Sequence, residues 1–145
     1  MTAQRPSRPT ILCVEDDPQL LDELHRELSA DYEVLPALNA AEALRMLAAH
    51  NTVAAIISDT RMPGMDGASF LARTRTFAPA AGRILLTDHA DLASAIAAVN
   101  EAQILRFLSK PFQSAELHAA VEAALEHHRH SSIENTGLMR AITEV

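Results

Sequence analysis

The sequence predicts a doubly wound α/β fold, in which a parallel sheet of five strands is covered by helices on both faces. The first observation is the run VAAIIS at residues 53–58, which is apolar on both faces and rich in β-branched residues, as expected at the centre of such a sheet. The second is that short apolar runs alternate with longer segments whose apolar residues recur at helical spacing. The third is that the central run stops at Asp59, after which Pro63, Gly64 and Gly67 require a loop. Right-handed crossovers then give the strand order 2-1-3-4-5.

The strands are predicted at residues 10–14, 32–37, 53–58, 83–87 and 104–109. The first strand ends in a run of acidic residues just before Pro18. The second is more polar than the others and carries Pro36, which favours an edge position because proline has no N–H for a sheet hydrogen bond. The fourth ends at Thr87, and Lys110 follows the fifth.

The helices are predicted at residues 18–30, 40–50, 68–77, 91–102 and 114–128. Pro18 suits the first turn of the first helix, whose leucines form one apolar stripe. Asn39 is a suitable cap for the second helix, and Pro79 and Gly82 close the third. The fourth is rich in alanine, and the fifth begins at Ser114.

The length and charge of the chain favour one acidic domain. A chain of 145 residues is long enough for a core of its own, and a formal charge of −7 argues against a nucleic-acid surface. The single cysteine, Cys13, lies in an apolar run and fits a reducing cytoplasm. No signal peptide and no membrane-spanning run is evident, so neither export nor a membrane is expected.

Both ends of the chain differ in composition from the predicted domain at 10–128. Residues 1–9 are polar and contain prolines, and we expect a disordered leader. Residues 129–145 contain Ser131, Ser132, Asn135 and Gly137, which are expected to interrupt the last helix. A frayed tail and a junction to a partner or output segment are the two interpretations of this stretch.

Polar residues stand at the carboxyl ends of four predicted strands, namely Glu15, Asp16, Asp59, Thr87 and Lys110. Because parallel strands end at the same edge of a sheet, we expect these side chains to share one shallow pocket. Neighbouring carboxylates repel one another unless a cation neutralises them, and oxygen ligands with open positions suit Mg²⁺. A lysine and a hydroxyl beside such an ion can hold a phosphoryl group, which makes Asp59 the predicted nucleophile. The alternatives are a structural ion pair between Asp59 and Lys110, or an Asp59 that only begins a turn.

These motifs resemble those of the receiver domains of response regulators in two-component signalling. The similarity covers about residues 10–128 and rests on the stretches VEDDP, SDTRMPGMDG, LLTDHAD and FLSKPF. It implies the flavodoxin-like fold, with Asp59 as the phosphoacceptor. It also implies that Asp16 binds Mg²⁺ directly, that Glu15 supports the ion through water, and that the backbone carbonyl of Arg61 completes the protein ligands together with Asp59.

The same resemblance implies that Thr87 and Lys110 each bind a phosphoryl oxygen, and that the Lys110–Pro111 peptide bond is cis. Phe107 stands in the place of a mobile aromatic residue that works with Thr87 as a switch and is often tyrosine. Arg61 and His89 hold positions that tune the lifetime of the phosphoryl group.

Two further departures from the family pattern concern residues near the predicted site. Asp88 stands where a small residue is usual, and an acid there could repel the phosphoryl group. Ala102 replaces a common glycine, with little expected effect.

The resemblance implies a regulatory switch rather than an enzyme. The donor would be a sensor histidine kinase or a phosphotransfer protein, and the signal would leave through contacts with a downstream protein or output domain. A homodimer is a further alternative, and no direct contact with nucleic acid is expected.

Two rival functions stand beside this interpretation. One is a receiver that is never phosphorylated and only binds partners, which Asp88 would favour. The other is a phosphatase of the haloacid dehalogenase type, which also uses an aspartyl-phosphate. That class places its nucleophile after the first strand, whereas Asp59 follows the third.

Overall fold

The computed structural model describes residues 8–50, 52–88 and 103–144, with side chains as far as residue 131. Within these ranges the strands are β1 (Thr10–Val14), β2 (Glu33–Ala37), β3 (Val53–Asp59), β4 (Gly82–Thr87) and β5 (Ile104–Ser109). The helices there are α1 (Pro18–Leu28), α2 (Ala40–Ala49), α3 (Gly67–Phe77) and α4 (Ser114–Glu144). Most of the expected leader, the expected helix at 91–102, His89 and Ala102 lie outside the described residues.

The five strands form one parallel sheet in the order β2-β1-β3-β4-β5, as predicted. β3 lies at its centre and is buried along its whole length, which is why its sequence is apolar on both faces. β2 lies at the edge, where Pro36 is tolerated and the strand is partly exposed.

Alternate residues of the central strand pack on opposite faces of the sheet. Ile56 packs on the face covered by α2 and α3, together with Leu47 and Phe70. Ile57 packs on the other face, which is covered by α1 and α4. The predicted doubly wound α/β class is therefore confirmed.

Helix α4 is longer than the sequence suggested. A helix ending near residue 128 was expected, but α4 continues from Ser114 to Glu144 without a break. The serine, asparagine and glycine residues in its second half each cost only about 0.5–1 kcal/mol relative to alanine, and no proline blocks the helix. The expected interruption is therefore wrong, while the assignment of 129–145 as a tail or junction stays a prediction. Despite this length, none of the helices described is apolar enough to cross a membrane.

Candidate functional site

Lys110 contacts two carboxylates at the carboxyl edge of the sheet. Its Nζ lies 2.7 Å from Oδ1 of Asp59, at the end of β3. The same nitrogen lies 3.2 Å from Oε2 of Glu15, just beyond β1. The side chain of Glu15 is 1% exposed, whereas that of Lys110 is 27% exposed. Three chain segments far apart in sequence therefore meet at one ion-paired cluster that solvent reaches from one side.

Asp16 completes a group of three carboxylates. One ligand oxygen each of Glu15, Asp16 and Asp59 lies within 4.8 Å of the others. Asp17 is directed away from this group, because it is the N-cap of α1 and accepts a hydrogen bond from the N–H of Gln19 at 3.0 Å. The backbone N–H of Asp17 also donates to Oε1 of Glu15 at 3.2 Å, which holds that carboxylate in place. A compact set of oxygen ligands, of which Asp16 is exposed, fits the preference of Mg²⁺ for carboxylates and water.

The electrostatics of the cluster show an excess of negative charge. The pKa of Glu15 is raised from 4.5 to about 7, first because the carboxyl is buried and second because the charge of Asp59 lies near it, while Lys110 opposes both effects. Burial alone would lower the pKa of Lys110, but its hydrogen bond to Asp59 and the charges of both carboxylates outweigh that effect and raise it. One ammonium group thus does not balance the neighbouring carboxylates.

Thr87 lies at the end of β4 and is buried. Its hydroxyl donates to the backbone carbonyl of Asp88 at 2.9 Å. Its own carbonyl accepts from the N–H of Lys110 at 2.8 Å, so β4 and β5 are joined directly beside the cluster. The Lys110–Pro111 peptide bond is cis.

The loop after Asp59 is held tightly against the site. A Cβ atom at Gly67 would lie 1.9 Å from the backbone oxygen of Asp59, so only glycine fits there. The N–H of Gly67 donates to the carbonyl of Thr60 at 2.8 Å, and the side chain of Asp66 caps α3 by accepting from the N–H of Ser69 at 2.9 Å. The sequence marked Gly67 only as a loop former and did not mark Thr60, although a hydroxyl directly after the central acid was the available signal.

The remaining predicted residues surround the cluster. Arg61 is in the loop after Asp59, with an exposed side chain. Asp88 is exposed, and Phe107 is partly buried against the core on the face of α2 and α3. The structure therefore brings together Glu15, Asp16, Asp59 and Lys110, and it places Thr87, Asp88, Arg61 and Phe107 on adjoining segments.

Comparisons with known proteins agree with this architecture. The family model of the response regulator receiver domain matches residues 11–122. The hydrogenase transcriptional regulatory protein HoxA of Bradyrhizobium diazoefficiens is 37% identical over 120 residues, which are 83% of this chain and 24% of that protein. The chain thus spans about a quarter of the length of its curated relatives, since the matched segment is 24% of each of the two HoxA proteins.

Two solved structures have the same fold. One is described as adenylate cyclase from Rhodopirellula baltica, with a TM-score of 0.86 and 36% identity over 91% of this chain and 98% of that chain. The other is the signal receiver domain of an HD domain-containing protein from Pseudomonas fluorescens Pf-5, with a TM-score of 0.79 and 40% identity over 85% of this chain and 98% of that chain.

Proposed function

The chain belongs to the receiver domain family of response regulators, and we propose that it is a signalling switch that accepts a phosphoryl group onto Asp59. Domains of this family are generally regulatory rather than catalytic. The observation that carries the proposal is the position of Asp59, whose carboxylate lies at the end of the central strand, 2.7 Å from the ammonium of Lys110 and beside two further acids.

The donor set supports Mg²⁺ as the cofactor of this site. Glu15, Asp16 and Asp59 would hold it, together with the carbonyl of Arg61 that the family pattern implies. When bound, the ion neutralises negative charge on the carboxylates and on the phosphoryl oxygens. The excess of carboxylate over ammonium in the cluster is the physical reason for a divalent cation there.

The transfer step needs little covalent chemistry from the protein. An Asp59 carboxylate oxygen forms a bond to phosphorus while the P–N bond of a phosphohistidine donor breaks, and the released imidazole nitrogen takes a proton. Lys110 stabilises the negative charge on the phosphoryl oxygens, which stay in contact with water on the exposed side of the cluster. Hydrolysis by water later restores Asp59 and releases phosphate.

The output of the switch is proposed to run through Thr87 and Phe107. The Thr87 hydroxyl donates to a backbone carbonyl here and would turn toward a phosphoryl oxygen, with the half-buried Phe107 ring following. The family pattern further suggests that Arg61, Asp88 and His89 would tune the lifetime of the phosphoryl group.

A groove beside Lys110 supports a protein donor. It has a volume of about 830 Å³ and runs between α1 and the start of α4, with Leu20 and Phe112 among its apolar lining. We propose that a cytoplasmic sensor histidine kinase or phosphotransfer protein docks there. The matched segment makes up only 24% of the curated HoxA relatives. We therefore propose that the signal passes to an output domain or a downstream protein, with residues 129–145 as the junction. A homodimer is an alternative route for the signal.

The test is phosphorylation by a small donor. Incubation with acetyl phosphate and Mg²⁺ should add about 80 Da, one HPO₃ unit, to the intact mass of the protein. Asp59→Asn should not gain this mass, because an amide is a poor nucleophile. Ser69→Ala is a suitable control, since its hydroxyl contacts only the α3 cap.

The alternatives give different results in the same experiment. A receiver that only binds partners would stay unmodified and would not respond to beryllofluoride with Mg²⁺. A phosphatase would turn over a generic phosphate ester. A mass increase on Asp59→Asn that survives hydroxylamine would place the nucleophile elsewhere.

A further inference from the structure

Thr60, the residue after Asp59, uses all three of its polar groups in hydrogen bonds to β4 and to the first residue of α3. Its N–H donates to the carbonyl of Leu86 at 2.9 Å, and its hydroxyl donates to the same oxygen. Its own carbonyl accepts from the N–H of Gly67 at 2.8 Å. The loop after β3 is thereby fixed both to the end of β4 and to the start of α3.

The position of Leu86 makes this contact relevant to the site. Neighbouring residues of a parallel strand direct their peptide groups to opposite sides, so Leu86 is bonded to the β3 side and Thr87 to the β5 side. The Thr87 carbonyl indeed accepts from the N–H of Lys110 at 2.8 Å. Two hydrogen bonds, joined by the Leu86–Thr87 backbone, thus link Thr60 to Lys110.

We propose that Thr60 is a positioning residue whose hydroxyl holds the backbone after Asp59 at a fixed distance from the end of β4, which carries Thr87. Asp59 and Leu86 are the last pair of β3 and β4, so the N–H bond of Thr60 closes the ladder between these strands. A second donor from the same residue to the same oxygen restrains this end of the ladder. The inference deepens the proposed phosphorylation of Asp59 and rests on it.

Metal binding and phosphoryl binding should respond differently to the loss of this hydroxyl. The carboxylates that would hold Mg²⁺ come from Asp59 and from the segment after β1, and Thr60 contacts neither Glu15 nor Asp16 in any described hydrogen bond. Phosphoryl transfer depends in addition on the distance from Asp59 to Thr87. A change in spacing should therefore slow transfer more than it weakens Mg²⁺ binding, although the Arg61 carbonyl, another proposed ligand, lies in the same loop.

The test compares Thr60→Val, which keeps the shape and the N–H bond, with Thr60→Ser, which keeps the hydroxyl. The matched control is Thr74→Val, because Thr74 is fully buried in α3 and its hydroxyl donates to the Leu71 carbonyl at 2.6 Å, away from the site. At saturating Mg²⁺, Thr60→Val should be phosphorylated by acetyl phosphate about threefold to tenfold more slowly, as the loss of one hydrogen bond implies. Thr60→Ser should recover most of the rate, and in both variants the Mg²⁺ dissociation constant should change by a smaller factor than the rate of Thr60→Val does.

Equal rates in wild type and Thr60→Val would overturn the inference. So would a serine variant as slow as the valine variant, or a rate loss that Thr74→Val reproduces. Amide hydrogen exchange of Lys110, whose N–H donates to Thr87, gives a readout that needs no phosphorylation. It should speed up in Thr60→Val only. If the wild type takes up no phosphoryl group, the proposed function fails by itself, and this exchange rate decides the role of Thr60.

Discussion

Replacing Lys110 with methionine removes the ammonium group that contacts both Asp59 and Glu15 while keeping most of the side-chain stem. The two carboxylates are then left close together with no cation, and Glu15 has almost no access to water. We expect the metal-free variant to lose stability near neutral pH and to regain part of it when Mg²⁺ is added.

The size of the loss follows from the contacts. Each ion pair, at 2.7 and 3.2 Å, is worth on the order of 5 kcal/mol before desolvation at an effective dielectric constant of about 20. Removing one partner of a buried pair typically costs about 3–5 kcal/mol. Because the Lys110 side chain is 27% exposed, water offsets part of this cost, and we expect about 2–4 kcal/mol at pH 8.

The loss should depend on pH with a definite sign. The folded pKa of Glu15 is raised, so the stabilisation that comes from protonating Glu15 in the fold is present below its usual pKa of 4.5 and is lost as pH rises through about 7. Without Lys110, the lowering effect of its charge disappears and the pKa of Glu15 rises further. Lys110→Met should therefore cost less near pH 5, where mainly the contact with Asp59 is lost, than near pH 8, where the contact with an ionised Glu15 is lost as well.

Urea denaturation at both pH values, with and without Mg²⁺, measures this effect. Arg26→Met is the matched control, because it removes one positive charge from a pair with Asp22 in which both side chains are about 70% exposed. Such a surface pair contributes only about 0–1 kcal/mol. A loss of equal size at pH 5 and pH 8 would refute the electrostatic reasoning and would assign the effect to packing of the lysine stem.

Three further substitutions test single residues of the site. Asp16→Ala should weaken Mg²⁺ binding on the order of tenfold or more, whereas Asp17→Ala should not, since Asp17 caps α1. A titration that gives the reverse order would shift the ligand assignment by one residue. Asp88→Ala should raise the phosphorylation rate by less than about tenfold, which corresponds to about 1.4 kcal/mol, because Asp88 is exposed. A larger gain in an acetyl phosphate assay would mean that the Asp88 carboxylate faces the site. Phe107→Tyr should enlarge the difference between the NMR spectra of the free and the beryllofluoride-bound protein, because a tyrosine hydroxyl favours an outward ring in the free state and the phenyl ring has no such group. An unchanged spectral difference would argue against a switch role for residue 107.

The sheet could be predicted because each strand carries a local signal. Residues 53–59 are buried along both faces, and only a central parallel strand needs such a sequence. The proximity of Asp59 and Lys110 follows from topology alone, since parallel strands end at the same edge of the sheet.

Features set by side-chain geometry could not be predicted in the same way. Arg83 is fully buried in β4, where its guanidinium donates to the carbonyl of Ala78 at 3.2 Å, and nothing in its neighbours' sequence indicates this. Burial, followed by the charge of Arg75, lowers the pKa of Arg83 to about 10. The second contact of Thr60 with Leu86, made by its hydroxyl, likewise depends on a side-chain orientation that no local pattern encodes.

The charge balance of the cluster also limits how the site can respond to phosphorylation. The phosphoryl group carries a charge of about −1.5 to −2, but the carboxylate that bonds to it loses its own charge, so the site gains about one negative charge beside a Glu15 whose pKa is already raised to about 7. Cationic groups of the site must neutralise this added charge. The ammonium group of Lys110 can contribute, because it has three N–H donors. Two of them suffice for the contacts of Lys110 with Asp59 and Glu15. The third can meet a phosphoryl oxygen on the exposed side while the contact with Glu15 is kept, so Lys110 can bind the new group without leaving a buried carboxylate alone.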